Sequence, residues 1–228
     1  MEDRIRHTIE HTEIIRVPHQ TIATFGSTVV YYYLLTEPVY ADILPGQRET
    51  VVREGRVTSE RPKIVTPYYL TQLFQGFEHG EEYANFLTQS YGPYHPSLLY
   101  RYQNELTRVD ITSASWEEVA HTIDERSKTE SLTTIIKGID EFWDVSLMKF
   151  IQEFTLNSSL KNIHEFETQG LLEVDKGGVP RNARMEIDDL FLKVGRGEVE
   201  PYILYNELRG WGVFPEYEDR FWNLFRHR

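Results

Sequence analysis

The sequence predicts an α+β protein: an N-terminal antiparallel β-rich part with short helices, followed by a C-terminal helical bundle. Three observations lead there. Residues 1–66 are mostly short β-branched and aromatic runs broken by turn signals. Short helical patterns then alternate with strand chemistry up to residue 112. From residue 115 onward, apolar spacing follows a helical period. A division into 1–112 and 113–228 follows, unless both parts are layers of one continuous domain.

In chain order, TEIIRV (12–17) and TIATF (21–25) read as strands separated by Pro18. STVVYYYLL (27–35) is apolar or aromatic at nearly every position, which predicts a central strand buried on both faces. Thr50–Arg53 and Arg56–Thr58 flank Glu54-Gly55 and read as a hairpin with one wet face. PYYLTQLFQGF, from Pro67 to a stop near Gly76, predicts a short helix. A second spans 80–92, with Tyr83, Phe86, Leu87 and Ser90 on one side. HPSLLYRYQNEL reads as a further turn or two of helix, and TRVDITSA (107–114) as an alternating strand.

Ser115 and Glu118 form a capping box, and Ser127 with Glu130 reads as a second. The latter would open the strongest helix of the chain, carrying Leu132, Ile136, Ile139, Trp143, Leu147, Phe150 and Phe154 on one stripe. Helices over 158–169, 182–194 and 198–209 end at glycines, and Pro215 starts a last one. Within this part, 146–178 has the order of a winged helix: helix, TLNS turn, helix, GLLEV and a Gly-Gly turn.

Composition narrows the function classes. The 228 residues are 40% hydrophobic and 26% charged, ordinary for a folded chain. No cysteine is present, which removes disulfides, thiolate metal sites and a cysteine nucleophile, and fits a cytoplasmic location. No apolar run reaches membrane-spanning length, and the charged first residues lack the apolar core of a secretory signal. The net charge of −12 is shared by both halves, with 10 basic and 14 acidic residues up to 113 and 14 and 22 after it. Neither half is built to neutralise phosphates. The same holds for the second helix of the winged-helix pattern: residues 157–181 hold three basic and four acidic side chains. Nucleic acid is therefore not expected as a partner, and no membrane association is expected either.

His7, Glu10 and His11 match H-x-x-E-H, a zinc-peptidase signature. Too little helix precedes them and strand chemistry follows, so a polar first strand or frayed arm is the better reading. Glu78, His79, Glu81 and Glu82 suit the first turn of a helix, where acids oppose the macrodipole. Asp140, Glu141 and Asp144 read as a solvated helix face within reach of Lys137, and Asp188-Asp189 reads likewise. Lys176-Gly177-Gly178 before Arg181 has the shape of a phosphate cradle but reads better as a surface turn. No catalytic residue, metal ligand or cofactor is assigned from these patterns.

Eleven of the fourteen tyrosines lie between residues 31 and 102. Tyrosine hydroxyls want polar partners, so this concentration predicts an amphipathic surface rather than a dry core. Tyr68, Tyr69, Tyr94, His95, Tyr100 and Arg101 are the expected binding residues, placing cations beside aromatic faces. The expected function is a non-catalytic interaction or regulatory module that contacts a protein partner or a second copy of itself. Two rivals follow from the same residues. One is a small hydrolase or transferase using His79 or His95 with Glu81, Glu82 or Arg101 in a tyrosine-lined pocket. The other is an acidic winged-helix transcription regulator using 146–178.

Overall fold

A computed structural model describes residues 2–40, 48–73 and 79–225. The first elements are α1 (Glu2–His11), β1 (Glu13–Arg16), β2 (Thr28–Thr36), β3 (Thr50–Ser59) and β4 (Lys63–Val65). Next come α2 (Pro67–Leu73), α3 (Gly80–Tyr91), β5 (Ser97–Leu99), β6 (Tyr102–Thr112) and α4 (Trp116–Arg126). The chain continues through β7 (Thr133–Lys137), a 3-10 turn (Asp140–Phe142), α5 (Trp143–Thr168), α6 (Arg181–Gly195), α7 (Pro201–Gly210) and α8 (Phe214–Asn223). The fold is α+β. Its contacts define two compact units, each discontinuous in sequence: Met1–Pro62 with Tyr100–Asn162, and Lys63–Leu99 with Ile163–Arg228. The compositional division at residue 112 follows patterning, whereas these units follow packing.

The first unit is built on a five-stranded sheet of order β1-β7-β2-β3-β6. It is mixed rather than antiparallel, because β2 and β7 run parallel while every other neighbour is antiparallel. Alternation along β2 decides which residues face which layer. Val30, Tyr32 and Leu34 pack with Leu147, Phe150 and Phe154 of α5. Leu35 packs with Val52, Ile135 and Ala120 of α4, with Tyr33 beside them. A strand covered on both faces has no polar side, which is why STVVYYYLL lacks one. Each fully buried leucine or isoleucine here contributes roughly 1.5–3 kcal/mol.

Several expectations for this unit need correction. The stretch 130–139 does not open a helix. Thr133–Lys137 forms β7, because its β-branched run fits the slot between β1 and β2, where the backbone gains partners on both sides. Ser127 accordingly closes α4 instead of capping a new helix. The Ser115–Glu118 capping box is present as expected. The guanidinium of buried Arg16 donates to the carbonyls of Ser127 at 2.6 Å and Glu130 at 2.8 Å, and pairs with Asp124 at 3.0 Å. Residues 21–25 are not a strand.

Glu54-Gly55 is not a hairpin turn. Both residues lie inside β3, which pairs with β6 along its ten residues and with β2 along nine of them. Residues 97–99 and 102–106 are strands where the sequence predicts a helical turn, and they lead into 107–112, which is a strand as expected. The N-terminal arm is a helix, α1, opened by Glu2 and Asp3, with buried Thr8 bonded back to the Arg4 carbonyl at 2.9 Å.

No helix-turn-helix exists at 146–178. Thr155–Ser158 lie inside α5, whose 26 residues run unbroken. The hydroxyls of Thr155 and Ser158 bond to the carbonyls four residues back at 2.6 and 2.7 Å. Their polar groups are satisfied within the helix, so no turn is needed. The C-terminal helices therefore do not form one bundle: α4 and the body of α5 cover the sheet, and the later helices build the second unit.

In that second unit, Ala183, Ile187, Phe191 and Val194 make one stripe of α6. The stripe packs with Leu204 and Leu208 of α7, Phe221 of α8, and Val65, Tyr69 and Trp211. The short β4–β5 ribbon adds Ile64, which packs with Phe166 and Leu171. The helix expected to stop near Gly76 is described to Leu73, and its end lies outside the described residues.

Candidate functional site

The six expected binding residues fall into three settings. Tyr69 is buried, its ring 4.5 Å from that of Trp211 and 4.4 Å beneath the Lys63 ammonium. Lys63 donates to the Tyr69 hydroxyl at 2.6 Å and to both oxygens of Glu207 at 2.7 Å. Tyr69 and the Trp211 indole donate to the same carboxylate at 3.0 and 2.8 Å. This set is a folding device, with its donors turned on one anion.

Tyr68 and Tyr94 lie with ring centroids 6.4 Å apart, each against a glycine. The Tyr68 hydroxyl stands 2.5 Å from where a Cβ on Gly212 would be, and the Tyr94 ring 2.1 Å from one on Gly178. Both glycines have positive φ, so turn geometry and close approach select the same residue. His95 is exposed beside them.

Tyr100 and Arg101 belong to the other unit. The Tyr100 hydroxyl donates to Asn162 at 2.8 Å, and burial, with the nearby Tyr102 phenol, pushes its pKa up to about 12. Arg101 is exposed, and its carbonyl accepts from the Glu60 amide at 3.0 Å. Tyr68, Tyr69 and Tyr94 are thus brought to one neighbourhood of the second unit, while Tyr100 and Arg101 belong to the first.

The aromatic surface of the second unit lies on α3. Tyr83, Phe86 and Tyr91 are 52%, 58% and 62% exposed, with the first two rings stacked at 6.3 Å, and Tyr94 is 46% exposed just beyond. Sequence spacing places Tyr83 and Phe86 on one helix side but does not reveal that this side faces outward. His79 precedes α3 without a capping bond, and Glu82 is exposed in its first turn. Glu78 and the side chain of Glu81 lie outside the described residues.

A cleft of about 950 Å³ opens in the first unit beyond the ends of the parallel strands β2 and β7. Lys137, the last residue of β7, holds its ammonium 4.2 Å from the Trp116 ring centroid, with Glu117, Arg48 and His11 on the walls. Hydrogen bonding from its own backbone amide leads the causes that hold the Glu117 carboxyl below the usual range, with Ser115, Lys137 and Arg48 adding to it.

The cleft floor is anchored by Asp140, which pairs with Arg53 at 2.8 Å and accepts from Thr36 at 2.7 Å. Asp140 is therefore a tethered ion-pair partner rather than part of a solvated helix face, and Glu141 pairs with Arg4. Nothing in the sequence pattern identifies this cleft, since its described walls come from residues 11, 37–39, 48–49, 115–117 and 137–141.

Two other motifs resolve. His7 and His11 share a face of α1 with ring centroids 3.9 Å apart, but among the described residues no three His, Asp or Glu side chains gather as a metal ligand set. In the Gly177-Gly178 turn, Asp175 accepts from the Gly177 and Val179 amides at 2.8 and 3.1 Å. Burial alone would raise the Asp175 carboxyl, but these amides and Arg184 outweigh it and hold the pKa down. The amides a phosphate would need already bind an internal anion. No family model, no curated protein and no solved structure matches this chain.

Proposed function

We propose that the protein is a non-catalytic interaction module whose contact surface is the aromatic face of α3, continued by Tyr94 and His95. The observation that carries this reading is the outward placement of Tyr83, Phe86 and Tyr91 on a single 12-residue helix. Each such ring offers on the order of 150–250 Å² for burial. Clustered exposed aromatics are the composition of interface centres, where a few large side chains supply most of the binding energy. The cysteine-free, acidic composition suits a cytoplasmic module, and no helix among the described residues is long and apolar enough to cross a membrane.

The test is a photo-crosslinking phenylalanine analogue at position 86, incorporated in cells that make the protein. Discrete adducts are expected, and Tyr83→Ser with Tyr91→Ser should remove them without lowering the melting temperature. Equal labelling from the exposed control position Glu153 would overturn the reading.

A further inference from the structure

The geometry points to a second contact, in the first unit: two copies of this chain pair antiparallel along the free edge of β6, about a two-fold axis at Val109. This contact does not depend on α3 binding anything. Among the described residues, sheet order leaves β6 with a strand neighbour, β3, on one side only. The strand is 11 residues long, whereas β1 at the opposite edge has four. A long edge offers a row of unpaired backbone donors and acceptors, and proteins that stay monomeric usually blunt it with proline, charged side chains or a bulge. Tyr102–Thr112 has no proline, its bulge at Thr107 leaves Arg108–Thr112 in unbroken register with β3, and its charges there are of both signs. It instead exposes Val109 and Ile111, at 50% and 60%, together with Leu106.

The occupant is identified by charge. Arg108 and Asp110 share one face of β6 on either side of Val109 and pair with each other within the chain at 2.5 Å. Two-fold pairing about Val109 sets Arg108 opposite Asp110 of the second copy, and Asp110 opposite Arg108. The two chains thus exchange their two internal ion pairs for two across the axis. Moving the centre by one residue destroys this. Centred on Asp110, two carboxylates face each other; centred on Arg108, two guanidinium groups do. Register is therefore selected by opposite charges and protected by like ones. The bulge in β6 leaves Thr107 opposite no residue of β3, so the new ladder begins there and covers Thr107–Ile111. So short a ladder gives a weak, concentration-dependent dimer.

The experiment is light scattering on the full chain across a concentration series at low salt. Wild type is expected to approach twice the chain mass as concentration rises. Arg108→Asp alone and Asp110→Arg alone should each weaken association by about tenfold or more. An equimolar mixture of the two variants should restore it, because each supplies the charge the other lacks. Wild type should also show concentration-dependent hydrogen-exchange protection over residues 107–111, a readout that needs no variant to fold. A wild type that is monomeric throughout, or a dimer indifferent to both reversals, overturns the inference.

Discussion

Gly55 stands in the middle of β3 because Tyr32 crosses over it. A Cβ there would lie 2.4 Å from the Tyr32 hydroxyl and 2.6 Å from the Glu105 carbonyl oxygen, and backbone cannot yield as a flexible side chain can. Gly55→Ala is therefore expected to cost about 1–3 kcal/mol in urea melts, as overpacking does. Glu207 shows the converse, a carboxylate surrounded by donors. Lys63→Ala removes its only described charge partner and should cost on the order of 3 kcal/mol. Combined with Glu207→Leu, the loss should be smaller than the sum of the single losses, which a double-mutant cycle measures.

Tyr100 gives a pH signature. Its phenol ionises near pH 10 in the unfolded chain and near 12 in the folded one. The folded state holds this proton more tightly, so the stability is fully present below about pH 10 and is lost as pH rises towards 12. Burial raises Tyr32 and Tyr102 as well. Tyr100→Phe should therefore make the alkaline fall in melting temperature shallower without abolishing it.

At the scale of elements, α5 concentrates the packing of the first unit. Its apolar stripe is expected from sequence to include Trp143, yet that indole is only half buried, with the Arg53 guanidinium 5.5 Å from its ring centroid. Phe150, by contrast, is 2% exposed. Phe150→Ala is expected to cost about 3–5 kcal/mol and Trp143→Ala about 1–3, measured side by side in denaturant. Reversal of that order would show the stripe facing the wrong way. The strand β7 depends on its surroundings in another sense. Taken alone, Leu132, Ile136 and Ile139 satisfy a helical period as well as Thr133–Ile136 satisfy strand propensity. Only the open ladders of β1 and β2 separate the two.

At the scale of the molecule, each unit draws on two distant stretches of chain. A fragment ending at residue 112 would carry β1, β2, β3 and β6 but neither β7, which lies between β1 and β2, nor the α5 face that covers them. Fragment 1–112 is therefore expected to lack a cooperative melt, while the full chain unfolds cooperatively. A cooperative transition in the fragment, followed by circular dichroism, would show that the sheet closes without β7.

Much of the local structure was legible. The double-faced burial of β2, the Ser115–Glu118 cap and the glycine-bounded α6 and α7 all follow from composition within a few residues. The α+β class follows from their order. These features depend on which side chains need burial and which backbone groups need a cap, and neighbours in sequence settle that. The sheet's mixed direction, the strand state of 133–137 and the interior place of Gly55 were decided by tertiary structure, because their backbone partners come from far along the chain. The same distance hid the candidate sites. Lys63, Tyr69 and Glu207 meet only after folding, and the outward turn of Tyr83 and Phe86 depends on what α3 packs against. A sequence states which groups must find partners; the fold decides which are left for another molecule.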